Sequence, residues 1–179
     1  KEMEYLLAFD TEKLLAGFRD NAGLSTNGAT RYGGWENTNI AGHCVGHYLT
    51  AIAQAYQNPT ISDKDKNELY SRMKKLIDGM HQCQNNSKGK PGFLWAAPKP
   101  SDGNVERQFD RVEVGKANIF DDAWVPWYTM HKLIAGLVDV YKATGYAPAK
   151  EVGSNLGDWV YNRCSKWSDQ THRTVLSIE

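Results

Sequence analysis

Two short stretches concentrate the side chains able to do chemistry. The first is Gly42-His43-Cys44-Val45-Gly46-His47, whose histidines stand four positions apart and so share one face of a helix. Such a pair suits three roles. It can hold a metal with a third ligand, commonly a carboxylate, although the HExxH form carries glutamate where this chain has Cys44. It can hydrogen-bond inside a helix contact, or it can bind a sugar hydroxyl. The second stretch is Trp124-x-Pro126-Trp127-Tyr128-x-x-His131-Lys132. Trp127 and Tyr128 precede His131 by four and three positions, so helical spacing projects all three from one side of a helix start. A stacking ring beside two hydrogen-bonding groups fits a saccharide, and the same residues also fit core packing.

Glu36, Asp121, Asp122, Asp158 and Glu179 are the candidate carboxylates. Glycosidases use two, one as acid and one as base or nucleophile, and sequence spacing does not pair them here. Asp121 and Asp122 are accounted for by the positive end of the helix that follows them. There is no nucleophile elbow, P-loop or Rossmann glycine pattern. Cys44, Cys83 and Cys164 are an odd number of widely separated cysteines with no CxxC pair, which excludes a zinc knuckle and a thioredoxin-like motif. All three read as small buried apolar residues.

These residues need elements to position them, and the apolar periodicity supplies helices. Residues 3–20 read as helical, with Asp10 able to cap a second helix within that stretch and Asn21-Ala22-Gly23 as a stop. A polar loop over 24–38 contains Tyr32-Gly33-Gly34-Trp35-Glu36. A helix over about 39–57 starts at Thr38 or Asn39 and ends at Asn58-Pro59. From Ser62 or Asp63 a third begins, with the stripe Leu69, Met73, Leu76, Met80 and Cys83. Residues 87–123 form a long connection in which 92–97 could be a short extended piece, and a connection of that length is usually functional. Helices follow over about 126–143 and 148–167, with another beginning near Asp169 or Gln170. The chain is therefore all-α.

A weak internal repeat organises these helices. His47-x-Leu49-x-Ala51 with Tyr56 recurs as His131-x-Leu133-x-Ala135 with Tyr141, and Leu76-Ile77-Asp78 recurs as Leu156-Gly157-Asp158. The histidines are offset by 84 residues. Alternating inner and outer helices stack into a solenoid or a toroid. The inner helices would be glycine- and alanine-rich, with Gly42 and Gly46 admitting a close neighbour. Six tryptophans and nine tyrosines, several in loops, point to a ligand surface or to gap-filling beneath loops, with Trp35 at the rim.

Composition narrows the function classes. Lys plus Arg and Asp plus Glu number 21 each among 179 residues, which gives no electrostatic case for nucleic acid or an anionic membrane. No apolar run approaches the roughly 20 residues that span a bilayer. Neither a signal peptide nor a lipidation motif is present, and the chain starts at Lys1, so localisation stays open.

Taken in order, Tyr32-Gly-Gly-Trp-Glu36, Gly42-His-x-x-Gly-His-Tyr-Leu49, Gly92-Phe-Leu-Trp95, Val125-Pro-Trp-Tyr-Thr-Met-His-Lys132, Ala135-Gly-Leu-x-Asp139 and Leu156-Gly-Asp-Trp159 form a recognisable set. The set resembles the N-terminal half of the catalytic domain of bacterial β-L-arabinofuranosidases, glycoside hydrolase families 127 and 146. The resemblance runs from about Leu6 to Glu179. It implies an (α/α)6 barrel, retaining hydrolysis of terminal β-L-arabinofuranosyl groups and a cysteine nucleophile. It also implies a zinc ion held by cysteines and a glutamate, with a further glutamate as acid/base. Those residues lie downstream of the matched region, and Cys44, Cys83 and Cys164 do not match them. His131 matches a substrate-binding histidine of the family, and Glu179 resembles the first residue of a segment that continues with glycines.

The expectation is that residues 1–179 form one N-terminal portion of a barrel, supplying sugar contacts from His131, Trp127, Tyr128, His43, His47, Trp35 and Glu179. Nucleophile and zinc would come from elsewhere, and the portion alone would be inactive. An oligosaccharide or polysaccharide is the expected partner. An open barrel would also expose apolar surface and self-associate. A secreted or periplasmic bacterial setting fits the resemblance better than the cytoplasm. The alternatives are another helical-toroid enzyme, a lyase or unsaturated uronyl hydrolase, and a non-catalytic sugar-binding or scaffold module.

Overall fold

The computed structural model describes residues 2–118 and 123–179. Among them lie eight α-helices: α1 Glu2–Ala8, α2 Thr11–Ala22, α3 His43–Gln57, α4 Asp63–Asn85, α5 Arg107–Glu113, α6 Pro126–Thr144, α7 Ala147–Cys164 and α8 Asp169–Leu176. A 3-10 turn, Gly34–Asn37, precedes α3. The described residues contain no strand, only one isolated bridge between Asn118 and Ala123.

Local chemistry accounts for most boundaries. The Asp10 carboxylate accepts from the Glu12 and Lys13 N–H groups and separates α1 from α2. Gly23, in the left-handed region at φ 73°, closes α2. Ser62 caps α4, and Pro126 opens α6, where a missing N–H is harmless. The apolar stripe of α4 is wholly buried, from Leu69 to Cys83.

Three boundaries differ from the sequence expectation. Helix α3 begins at His43, not near residue 39, because Gly42 turns the chain at φ 103° and Glu36, six residues upstream, takes the capping role expected of Thr38 or Asn39. Helix α7 ends at Cys164, before the expected 167. The long connection holds α5, a seven-residue helix hidden in polar sequence, which buries Phe109 and Val112. Residues 92–97 form no strand. Phe93, Leu94 and Trp95 are buried, and Asn21 Nδ2 donates to the Trp95 and Ala97 carbonyls at 2.9 and 2.8 Å. This aromatic loop is core, not ligand surface. Asp121 and Asp122 lie outside the described residues.

The helices pack in two layers, as the repeat implies. Helices α3 and α6 pack along each other, while α2, α4 and α7 make the second layer, with α4 against α3 and α7 against α6. This is an all-α fold of (α/α) type built from the hairpins α3–α4 and α6–α7. The α3–α6 contact is backbone on backbone. A Cβ at Gly46 would lie 2.8 Å from Leu133 N and closer still to the Lys132 carbonyl, and one at Gly136 would lie 2.6 Å from the Gly46 carbonyl. Thr50 Oγ1 donates to Asp139 across the same seam at 2.8 Å. The close approach fixes the registry of the two helix starts, where the candidate site lies.

Candidate functional site

At the start of α3, Glu36 gathers three donors. Its carboxylate accepts from Gly42 N–H at 2.9 Å, Cys44 N–H at 3.2 Å and His43 Nδ1 at 2.9 Å. His43 Nδ1 also lies 2.8 Å from the Ile40 carbonyl, so the proton on Nδ1 is shared between two acceptors. The other ring nitrogen, Nε2, faces Cys44 Sγ at 3.6 Å. Burial pushes the Glu36 pKa up, but the hydrogen bonds from His43, Gly42 and Cys44 together outweigh it and leave the carboxyl below its ordinary value. The Cys44 sulfur and then Glu36 raise the His43 imidazole to about 10, against the effect of burial.

At the start of α6, a carboxylate from far along the chain does the capping. Glu179 accepts from the Trp127 and Tyr128 N–H groups at 3.3 and 3.1 Å. Burial of this carboxylate raises its pKa against the lowering effect of those two donors. The residue as a whole is exposed, so the carboxyl is the part drawn toward the helix start. The Tyr128 hydroxyl meets His47 Nε2 at 3.1 Å, and the Tyr128 ring lies 6.3 and 6.4 Å from the rings of His43 and His47. Burial, then the charges of Lys132, His43 and His131, lowers the His47 pKa, which keeps this imidazole neutral near pH 7.

Between the two helix starts is a hollow of about 250 Å³, lined by Trp35, Ile40, His43, Trp124, Val125, Tyr128 and Glu179. Trp35 from the 3-10 turn and Trp124 from the loop before α6 lie 5.3 Å apart at 42°, and Trp35 is 59% exposed. An aromatic pair flanked by an imidazole, a phenol and a carboxylate presents one apolar wall and several hydrogen-bonding groups.

The expected site residues thus divide. Trp35, His43, Tyr128 and Glu179 come together in the hollow, and His47 joins them through Tyr128. His131 is exposed on α6 outside that lining, close enough for its charge to act on His47. Trp127 does not project with Tyr128 and His131. It packs against Phe109, Trp159 and Trp167 at 4.9, 5.8 and 5.3 Å, in the core beneath the helix start. The indole from this stretch that lines the hollow is Trp124, and its place in loop sequence just before Pro126 is the available signal. Asp158 is exposed on α7 and lines no part of the hollow. Cys83 is buried as expected, but Cys44 and Cys164 are only partly so.

A larger cavity of about 590 Å³ lies between α5, α7 and α8. Its chemistry is structural. Arg163, its side chain 7% exposed, donates to Glu106 at 2.8 Å, to Asp110 at 2.5 Å and to Glu113, so its charge is consumed in joining α7 to α5. The smaller hollow, with the exposed Trp35 ring on its wall, is the better candidate for a ligand.

Among the described residues, Glu36, His43 and Cys44 form the one group of three whose donor atoms lie within 4.8 Å of one another. Glu36 engages Nδ1 of the imidazole and Cys44 faces Nε2, so each of the three is already hydrogen-bonded within the group. Three ligand atoms are one short of the four that close a structural zinc site, and the hydrogen bonds join the group as carboxylate, imidazole and thiol. A zinc set of several cysteines and a glutamate does not fit the described residues either, since this group holds a single cysteine.

No curated protein matches the chain. A family model does, and it covers the helical layers and both walls of the hollow alike. Residues 1–179 match the beta-L-arabinofuranosidase, GH127 catalytic domain, and the chain belongs to that glycoside hydrolase family.

Proposed function

We propose that this chain supplies the glycan-recognition wall of a glycosidase that removes terminal β-L-arabinofuranosyl groups. The observation that carries the reading is the Trp35–Trp124 pair, Trp35 exposed and Trp124 half-buried, over a hollow with His43, Tyr128 and Glu179 on its polar side. A furanose offers C–H faces to stack on indole and hydroxyls for the imidazole, phenol and carboxylate. His47 positions the Tyr128 hydroxyl, and His131 extends the polar rim one helical turn along α6. Glu179, a carboxylate whose proton affinity is raised, has the character of a proton-donating group or of a partner for a sugar hydroxyl. Nucleophile and zinc belong, in this reading, to a part of the barrel other than residues 1–179, and no step is routed through them.

The test is turnover of an aryl β-L-arabinofuranoside by the full-length protein. Trp35→Ala combined with Trp124→Ala should raise KM at least about tenfold with a smaller change in kcat, because stacking holds substrate and transition state alike. An unchanged KM in a folded double variant removes the aromatic wall from the site. No turnover of the arabinofuranoside by the wild-type protein, with turnover of an acidic oligosaccharide instead, replaces the substrate.

A further inference from the structure

The thiol of Cys44 takes no part in the glycan wall, and it does not stand alone. Glu36, His43 and Cys44 form a compact cluster, with carboxylate to Nδ1 at 2.9 Å and Nε2 to Sγ at 3.6 Å. The same carboxylate accepts the Cys44 N–H at 3.2 Å, so one group fixes both the imidazole and the backbone that carries the thiol. Cys44 is the second residue of a 15-residue helix, at the positive end of its dipole. Its side chain is partly exposed, so a reagent can reach it. The other two cysteines lack this environment. Burial comes first among the causes that push the Cys83 and Cys164 thiols up to about 11, and nearby Glu113 adds to it for Cys164.

We propose that Cys44 is a modification site, a thiol activated by the Glu36–His43 pair that reacts with soft electrophiles, hydrogen peroxide among them. The Cys44 proton passes to His43 Nε2, while the proton on Nδ1 stays hydrogen-bonded to Glu36. With peroxide, sulfur attacks one oxygen and the O–O bond breaks. The sulfur is oxidised by two electrons to a sulfenic acid, and the departing hydroxide takes the proton from Nε2 and leaves as water. With an alkyl iodide, an S–C bond forms, iodide departs, and the Nε2 proton goes to solvent.

The experiment is timed labelling of the native full-length protein with iodoacetamide at pH 7, mapped by peptide mass spectrometry, with and without prior EDTA. Cys44 should label at least about tenfold faster than Cys83 and Cys164, with or without EDTA. His43→Gln should slow Cys44 at least about tenfold and leave the other two unchanged, and Glu36→Gln should slow it less. Equal rates at Cys44 and Cys164, or a Cys44 rate that survives His43→Gln, overturns the proposal. So does labelling that appears only after EDTA, which would make the group a metal site. If His43→Gln unfolds the protein, all three cysteines label alike. The wild-type protein then decides: dimedone after hydrogen peroxide should mark Cys44 and neither Cys83 nor Cys164, and failure to mark Cys44 refutes the assignment.

Discussion

Alanine at Gly46 would strike the contact on which the site's geometry depends. A Cβ there would stand 2.8 Å from Leu133 N and closer to the Lys132 carbonyl, both on the backbone of α6. No side chain is available to swing away, so α3 and α6 must separate. Overpacking costs about 1–3 kcal/mol, and a clash with backbone on both sides belongs at the upper end. Alanine returns about 1 kcal/mol through its better helix propensity, which leaves a net loss of about 2 kcal/mol. Urea unfolding of the full-length protein, followed by tryptophan fluorescence, should show a lower midpoint at unchanged slope. Gly157 is the control. It lies on exposed α7 surface, where an added Cβ would meet nothing within 4 Å, so Gly157→Ala should stabilise by up to about 1 kcal/mol. A Gly46→Ala protein as stable as Gly157→Ala would refute the backbone contact and, with it, the packing that sets the two helix starts side by side.

Other outcomes follow from the same structure. Arg163→Ala should destabilise by about 3 kcal/mol in the same assay, because it strands the buried carboxylate of Glu106 and breaks the tie between α5 and α7; a loss under about 1 kcal/mol would mean that the ion network is dispensable. Glu12 is held at about 2, mainly by its hydrogen bond from Arg19, with Lys75 helping and burial opposing. Its folded pKa is below the unfolded value, so its contribution to stability is complete above about 4.5 and is lost as pH falls through about 2. The stability difference between wild type and Glu12→Gln should therefore shrink over that window, and a difference independent of pH would exclude the pairing. His131→Ala should lower kcat/KM on an aryl β-L-arabinofuranoside at least about tenfold, and unchanged turnover would take His131 out of the site.

The sequence by itself determined the helices other than α5, and their pairing. Caps at Asp10 and Ser62, the stop at Gly23, Pro126 at a first turn and the stripe from Leu69 to Cys83 are local signals, and each acts within a few residues. The repeat of His47 and His131 anticipated two hairpins side by side, because equal patterns bury equal faces. What only the tertiary structure decided was which members of each motif meet. Trp127 and Tyr128 are adjacent in sequence, yet one enters the aromatic core with Phe109 and Trp159 while the other faces the hollow. Helical spacing groups residues on a face but does not say which edge of that face another element covers. Trp35 and Trp124 are 89 positions apart and pair because the loops that carry them converge. The caps of α3 and α6 come from Glu36 and Glu179, six and about fifty residues distant, where no local pattern points. Carboxylates, thiol and imidazole gain their chemistry from burial and from partners brought near by packing, and those are properties of the fold.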